Sequence, residues 1–153
     1  MINDKYRDVC LLIVGKKEIN LIGMLNKYPL ELINKILIFD HISFPEIILN
    51  CSDILCLPSK REGFGNVVIE ASACEIPVVG SDIFGLKSSL INGKNGLTFK
   101  TGDPNDLFLK IKKLIDNKNL RLKLGKNGRN MVLKNFNHKI IYSSLENLLF
   151  EDV

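Results

Sequence analysis

Apolar runs in this chain, such as Ile36 to Phe39 and Ile47 to Leu49, are far shorter than the ~20 residues that carry a helix across a bilayer. A membrane-spanning protein is therefore not expected. The opening segment, Met1 to Asp8, is polar and charged, so no secretory signal peptide is expected either. Cysteine is sparse: Cys10, Cys51, Cys56 and Cys74 include no CxxC pair, and each sits in or beside an apolar stretch. They read as buried free thiols of a reducing cytoplasm. Histidine is sparser still, with only His41 and His138, which leaves a Cys/His zinc site without support; no metal is expected. Internal repeats, low-complexity tracts and linkers are lacking, so the 153 residues read as one domain, 1–153, large enough for a single core. What is present is ordinary for a globular chain: 46% hydrophobic and 25% charged residues.

Acidic residues are lacking in one region. Between Lys100 and Lys139 there are eleven Lys or Arg against Asp103, Asp106 and Asp116, within a formal charge of +4. Such a surface can meet nucleic acid or an anionic membrane face. The segment offers Phe108 and Phe136 but no interleaved stacking aromatics, so nucleic acid is not an expected partner. A solvated helical face is the plainer reading.

Short apolar runs alternate with helical patterns. Strands are predicted over Val9 to Val14, Ile36 to Phe39, Ile54 to Leu57, Val78-Val79 and around Leu97 to Phe99. Helices are predicted over Ile19 to Lys27 (with Pro29 beyond), Phe44 to Cys51 behind a Ser43 cap, Gly65 to Cys74, Leu86 to Ile91, Leu120 to Lys134 and His138 to Phe150. Asp103-Pro104 is a strong helix start, with Leu107, Ile111, Leu114 and Ile115 on one face. This order implies an α/β fold: a Rossmann-like parallel sheet with helices on both faces. Ligands of such sheets bind outside the carboxyl ends of the strands, which directs attention to Gly15-Lys17, Asp40-Ser43, Pro58-Phe64 and Ser81-Gly85.

The richest of these runs Pro58-Ser59-Lys60-Arg61-Glu62-Gly63-Phe64-Gly65-Asn66-Val67-Val68-Ile69-Glu70-Ala71. Gly63 and Gly65 permit a tight turn and close approach of backbone to a ligand. The helix behind them offers N–H groups near Asn66 and Val67 to an anion. Glu70, about one turn in, is placed to accept hydrogen bonds from a ribose diol, and Glu62 stands before the turn, where a sugar beyond the phosphates would lie. On spacing alone a plain tight turn with two solvated glutamates reads equally well.

PSKREGFGNVVIEASA resembles the E-x7-E signature of the large retaining group 1 glycosyltransferases, which build capsules, lipopolysaccharides, sucrose and trehalose derivatives. Cys51 to Leu57 resembles that family's lead-in to the motif, Ile76 to Val79 and Ser81 to Leu86 its next strand and loop, and Asn92 to Leu97 its late glycine turn. The likeness covers nearly the whole chain. It implies the C-terminal, donor-binding half of a two-Rossmann-domain enzyme, with a nucleotide-diphosphate sugar (UDP- or GDP-linked) as donor and no metal. Glu62 would contact the donor sugar as the catalytic residue and Glu70 the ribose. Gly63, Phe64, Gly65, Asn66 and Val67 would serve sugar or phosphate, and His41, in the loop from Asp40, would lie by the base. Transfer would retain the anomeric configuration without an established covalent nucleophile, and charge building on the departing diphosphate would need preorganised donors.

Departures accompany the likeness. The family's first strand with its diphosphate-clamping Arg and Lys, and the N-terminal acceptor domain, are expected to be missing, so the isolated chain is expected to be inactive. Lys16 and Lys17 are read as solvated rather than as that clamp. Glu75 stands where glycine is usual, and Lys87 and Ser88 where Pro and Glu are common. The implied setting is cytoplasmic, on the inner face of the membrane, with a glycan or lipid-linked acceptor. A non-enzymatic Rossmann-like module is the alternative. A dinucleotide-dependent dehydrogenase fails because Gly15-Lys16-Lys17-Glu18 follows the first strand; a P-loop NTPase fails because Leu86 follows Gly85. His138 reads as a surface helix start, and Phe64 and Phe84 as packing beneath their loops.

Overall fold

The computed structural model describes residues 8–15 and 21–150. The chain divides into two compact units, Met1–Pro45 and Glu46–Val153. Lys16 and Lys17, and the start of the helix predicted from Ile19, lie outside the described residues.

In the first unit, β1 (Leu11–Val14) pairs in parallel with β2 (Ile36–Phe39), Leu11 opposite Ile36 and Val14 opposite Phe39. Between them lie α1 (Leu21–Leu25) and a second short helix that was not predicted, α2 (Leu30–Ile33). Pro29 does end the helical stretch before it. Its φ of −58° and ψ of 144° then place it at the N-cap of α2, which makes one residue both stop and start.

The second unit opens with α3 (Pro45–Asn50, from the unit boundary) and carries β3 (Leu55–Leu57), α4 (Asn66–Ala73), β4 (Val78–Ser81), a 3-10 turn (Phe84–Leu86) and β5 (Gly96–Phe99). The long helices α5 (Pro104–Asp116), α6 (Lys118–Asn135) and α7 (His138–Phe150) follow. Its sheet is parallel, in the order β3-β4-β5. β4 is buried at every residue because it is central and covered on both faces. Val78 enters one core with Leu49, Val68, Ala71, Leu86 and Leu90. Val79, on the opposite face, enters another with Leu97, Phe99, Leu114 and Leu124. The predicted α/β layering holds, with the parallel strands distributed over two sheets.

Asp103 caps α5 as its sequence predicts, its carboxylate accepting from the Asn105 and Asp106 N–H groups with Pro104 next in line. Asn117 does the same for α6 through the Leu120 N–H. The basic segment is more than a solvated face. Arg121 donates to the Leu114 and Ile115 carbonyls at the end of α5, and Arg129 donates to the Ala73 carbonyl at the end of α4. Gly125 and Gly128, which weaken a helix in isolation, sit where α6 meets α4. A Cβ on Gly125 would lie 1.9 Å from the Glu75 carbonyl oxygen, and one on Gly128 3.1 Å from Ser72.

Two expectations need correction. The predicted helix over Leu86 to Ile91 is only a 3-10 turn over Phe84–Leu86. Beyond it the Ile91 N–H and the Ser89 carbonyl are taken by the Asn95 side chain, which gives those backbone groups partners outside a helix. Cys10 and Cys51 are exposed rather than buried, because they flank β1 and α3 instead of lying within their covered faces. Burial pushes the Cys56 thiol, inside β3, from 9.0 up to about 11 and also raises that of Cys74, which favours the protonated form of both. All four cysteines are free.

Glu75 occupies a position with φ 62°, in the left-handed region that favours glycine. It ends α4 in a Schellman arrangement: the Glu75 N–H donates to Ser72 and the Ile76 N–H to Ala71. Its carboxylate lies 3.8 Å from the Arg129 guanidinium, at the exposed surface. The left-handed backbone costs about 1–2 kcal/mol for a residue with a Cβ. An exposed ion pair returns roughly 0–1 kcal/mol. Glu75→Gly is therefore expected to stabilise the chain by about 0.5 kcal/mol, read as a melting temperature raised by one or two degrees, on the order of 2–4 °C per kcal/mol. A lower melting temperature would show that the Arg129 pair outweighs the backbone term.

Candidate functional site

Strand β3 ends at Leu57 and delivers the loop from Pro58, in which Glu62 is half-buried and Gly63 exposed. The two glycines of the turn differ in kind. Gly65 is buried with φ 75° and ψ 62°, and a Cβ there would lie 2.4 Å from Leu86 Cδ2, so the fold itself requires glycine. Gly63 has no such constraint: its φ is outside the left-handed region and nothing lies within 4 Å of where a Cβ would be. The open side of Gly63 is room that the chain does not fill.

Gly65 caps α4 without any side-chain bond, and the Val68 N–H returns to the Gly65 carbonyl at 2.9 Å. The N–H groups of Asn66 and Val67 take no backbone acceptor among the described residues, as the first turn of any helix dictates. Glu70 is exposed on the same helix, one turn further on. Residues 62 to 70 thus form one continuous loop and helix start, with the positive end of the α4 dipole behind them.

A second strand-end loop closes on this one. Gly85, in the segment after β4, packs so tightly on the turn that a Cβ would lie 1.8 Å from the Glu62 carbonyl oxygen. Phe64 packs at 5.6 Å on the ring of Phe136, at the end of α6. Phe84 corrects the expectation made for it. It is 87% exposed, with the Lys87 ammonium 6.0 Å from its ring centroid, because Gly85 and not Phe84 fills the space beside Glu62. Lys87 and Ser88 are both exposed.

His41 belongs to the first unit, in the segment after β2, where it is exposed and its backbone N–H donates to the Asp40 carboxylate at 2.8 Å. His138 starts α7 at the surface, its ring edge-on to Tyr142. Among the described residues no group of three or more His, Cys, Asp or Glu is arranged to hold a metal ion. No helix there is long and apolar enough to cross a membrane.

A separate polar cleft of about 470 Å³ runs along β5, lined by Asp82, Thr98, Lys100, Asp106 and Lys110 among others. Its Asp106 and Lys110 are paired with each other. The Lys100 N–H donates to the Asp106 carboxylate at 2.8 Å and Lys110 lies at 3.3 Å, which together hold that carboxyl below its ordinary range.

Sequence reasoning passed over the residues beneath the turn. Ser72, Ser89 and Asn95 are fully buried and hydrogen-bonded to one another and to the Phe64 carbonyl. Ser72, between two alanines, carries the one sequence signal, a small polar residue where a bare core would have used alanine; Ser89 and Asn95 stand in polar segments that carry none.

The chain belongs to the group 1 glycosyl transferases, whose family model matches residues 1–131. It is 35% identical over 149 residues to the capsular polysaccharide biosynthesis glycosyltransferase CapM of Staphylococcus aureus, spanning 97% of this chain but only 39% of that protein. The chain thus covers about two fifths of the length of this relative. Its fold is shared with Anabaena Alr3699/HepE solved in complex with UDP, at a TM-score of 0.84 and 20% identity over 92% of this chain and 40% of that one. It is likewise similar to the C-terminal domain of the group 1 protein LpcC from Francisella tularensis, at a TM-score of 0.76 and 22% identity over 88% and 73% of the two chains.

Proposed function

We propose that the chain is the C-terminal, donor-binding part of a longer retaining glycosyltransferase of cell-surface polysaccharide or glycan synthesis, and that the Glu62 to Glu70 segment holds a UDP- or GDP-linked sugar. The carrying observation is Gly63: a glycine that the fold does not need, open to solvent, two residues before a helix start with unpaired amides. A diphosphate fits there because helix N–H groups and the dipole favour an anion at close backbone approach. Glu70 accepts from the ribose, Glu62 contacts the sugar, and the amides from Gly63 to Val67 meet the phosphates. The UDP complex of a protein with the same fold, and a C-terminal domain of this shape in another family member, support the reading. No metal takes part in it, and the chain alone does not turn over.

The chain's melting temperature is expected to rise with millimolar UDP or GDP, by the ligand-linkage term that reaches about 2.7 kcal/mol at a hundredfold excess over Kd. Glu70→Ala should weaken that nucleotide about tenfold, since it removes charge-assisted hydrogen bonds, and Glu62→Ala should weaken it less. Gly63→Ala should leave the nucleotide-free melting temperature unchanged while reducing the shift. No shift with either nucleotide would sink the proposal.

The acceptor is a glycan or lipid-linked sugar met through a further domain, with the enzyme on the cytoplasmic face of the membrane. Exposed Lys123, Lys126 and Lys134 of α6, with Leu122 and Leu133 exposed among them, provide the contact with anionic lipid. Co-sedimentation of the chain with vesicles should increase with their anionic lipid content; indifference to it would remove this contact.

A further inference from the structure

We propose that Ser89 and Asn95 are positioning residues for the donor site: a buried hydrogen-bond chain that fixes the direction of the peptide between Phe64 and Gly65. The inference rests on the donor-site reading above. Asn95, wholly buried in the turn before β5, has all of its amide committed. Its Nδ2 donates to the Ser89 carbonyl at 2.8 Å and to the Ser72 hydroxyl at 3.2 Å, and its Oδ1 accepts from the Ile91 N–H at 2.8 Å. This holds the backbone at Ser89 in place. The Ser89 hydroxyl, itself fully buried, then donates to the Phe64 carbonyl at 2.5 Å.

That carbonyl belongs to the last peptide before the left-handed Gly65. In a trans peptide the C=O and the N–H point in opposite directions. Anchoring the Phe64 oxygen on Ser89 therefore aims the Gly65 N–H away from Ser89, ahead of the Asn66 and Val67 amides of the helix start. A donor fixed before ligand arrives needs no reorganisation when it meets an anion. Two contacts back the anchor sterically: Gly65 seats against Leu86, and Gly85 against the Glu62 carbonyl. No side chain of the turn itself makes this bond, which is why Glu62 to Glu70 does not contain its own orienting group.

The test compares Ser89→Ala, Asn95→Asp and Ser72→Ala in the whole chain, titrated with UDP and with GDP well below the melting temperature, alongside the amide resonances of residues 63–67 without nucleotide. Ser89→Ala is expected to move the Gly65 and Asn66 amide resonances and to weaken the nucleotide about tenfold, the worth of one well-aimed hydrogen bond to a charged group. Asn95→Asp, which loses both amide donors, should act in the same direction. Ser72→Ala keeps the bond to Phe64 and should leave affinity within about twofold. Wild-type affinity in Ser89→Ala, or an equal loss in Ser72→Ala, would overturn the inference, the latter by showing general loosening. If the unaltered chain binds neither nucleotide, the donor-site reading fails. Unmoved amides in Ser89→Ala would then show that the anchor fails as well.

Discussion

Gly85→Ala is expected to abolish the nucleotide-dependent rise in melting temperature while leaving a folded chain. The substitution adds one methyl group, but its carbon would lie 1.8 Å from the Glu62 carbonyl oxygen and 2.7 Å from the carbonyl carbon. Cβ atoms essentially never approach within 3.0 Å of a neighbour, so the two backbones must part by about 1 Å. Neither side of this contact is a flexible side chain that could swing away. Glu62 and Gly63 are the ones to yield, because Gly63 is exposed and Glu62 only half-buried, whereas Leu86, next to Gly85, is fully buried. A displacement of that size at a group that positions substrate costs on the order of a hundredfold in binding or rate. The stability cost should stay within about 1–3 kcal/mol, as for other overpacked contacts that can relax. Thermal melts with and without millimolar UDP or GDP separate the two effects. An unaltered nucleotide affinity in Gly85→Ala would mean that the Glu62 backbone takes no part in binding.

Gly125→Ala should cost more stability than a methyl group added at Gly128, the other glycine of α6. Alanine in place of glycine within a helix is ordinarily favourable by about 1 kcal/mol. Here the Cβ would lie 1.9 Å from the Glu75 carbonyl oxygen and 2.7 Å from its carbon, where α6 crosses the end of α4. That carbonyl cannot turn aside, because the residue bearing it is already fixed in the left-handed conformation by the Schellman bonds to Ser72 and Ala71. Overpacking against backbone takes the upper end of its range, about 3 kcal/mol or more, and outweighs the propensity gain. The net loss of about 2 kcal/mol lowers the melting temperature by roughly 4–8 °C. Gly128→Ala, whose nearest neighbours are side-chain atoms of Ser72 at 3.1 Å, should cost less. A Gly125→Ala chain that melts at or above the unaltered temperature would contradict the close crossing.

Local signals in the sequence survive into the structure wherever a single residue decides the geometry. Asp103-Pro104 begins α5, Pro29 ends a helix, and the short apolar runs become parallel strands within a residue or two of their predicted bounds. The loop and helix start over Glu62 to Glu70 are legible because they are contiguous in the chain and need no distant partner to be seen. What could not be read depends on contacts across long sequence separations. Gly85 serves Glu62, Ser89 serves Phe64, and Gly125 serves Glu75, and in each case the pairing exists only once the strands and helices are stacked. The helix predicted over Leu86 to Ile91 is a 3-10 turn over Phe84–Leu86. Asn95, from the far side of the turn, takes the backbone groups that such a helix would have used.

Glu75 in place of a glycine was visible in the sequence as an oddity but not as a cost, since φ has no sequence signature at a single residue. Phe84, expected to pack beneath its loop, is exposed because the neighbouring Gly85 is the residue that packs there.

The crossing at Gly125 also has a mechanical meaning. Helices usually meet through side chains, which compress, change rotamer and let one helix slide over the other. At this crossing α6 lies directly on the backbone that ends α4, and Arg129 bonds the Ala73 carbonyl beside it. At that point no compliant side chain separates the two helices, so α6 acts on the end of α4 as a stop rather than as a sliding contact.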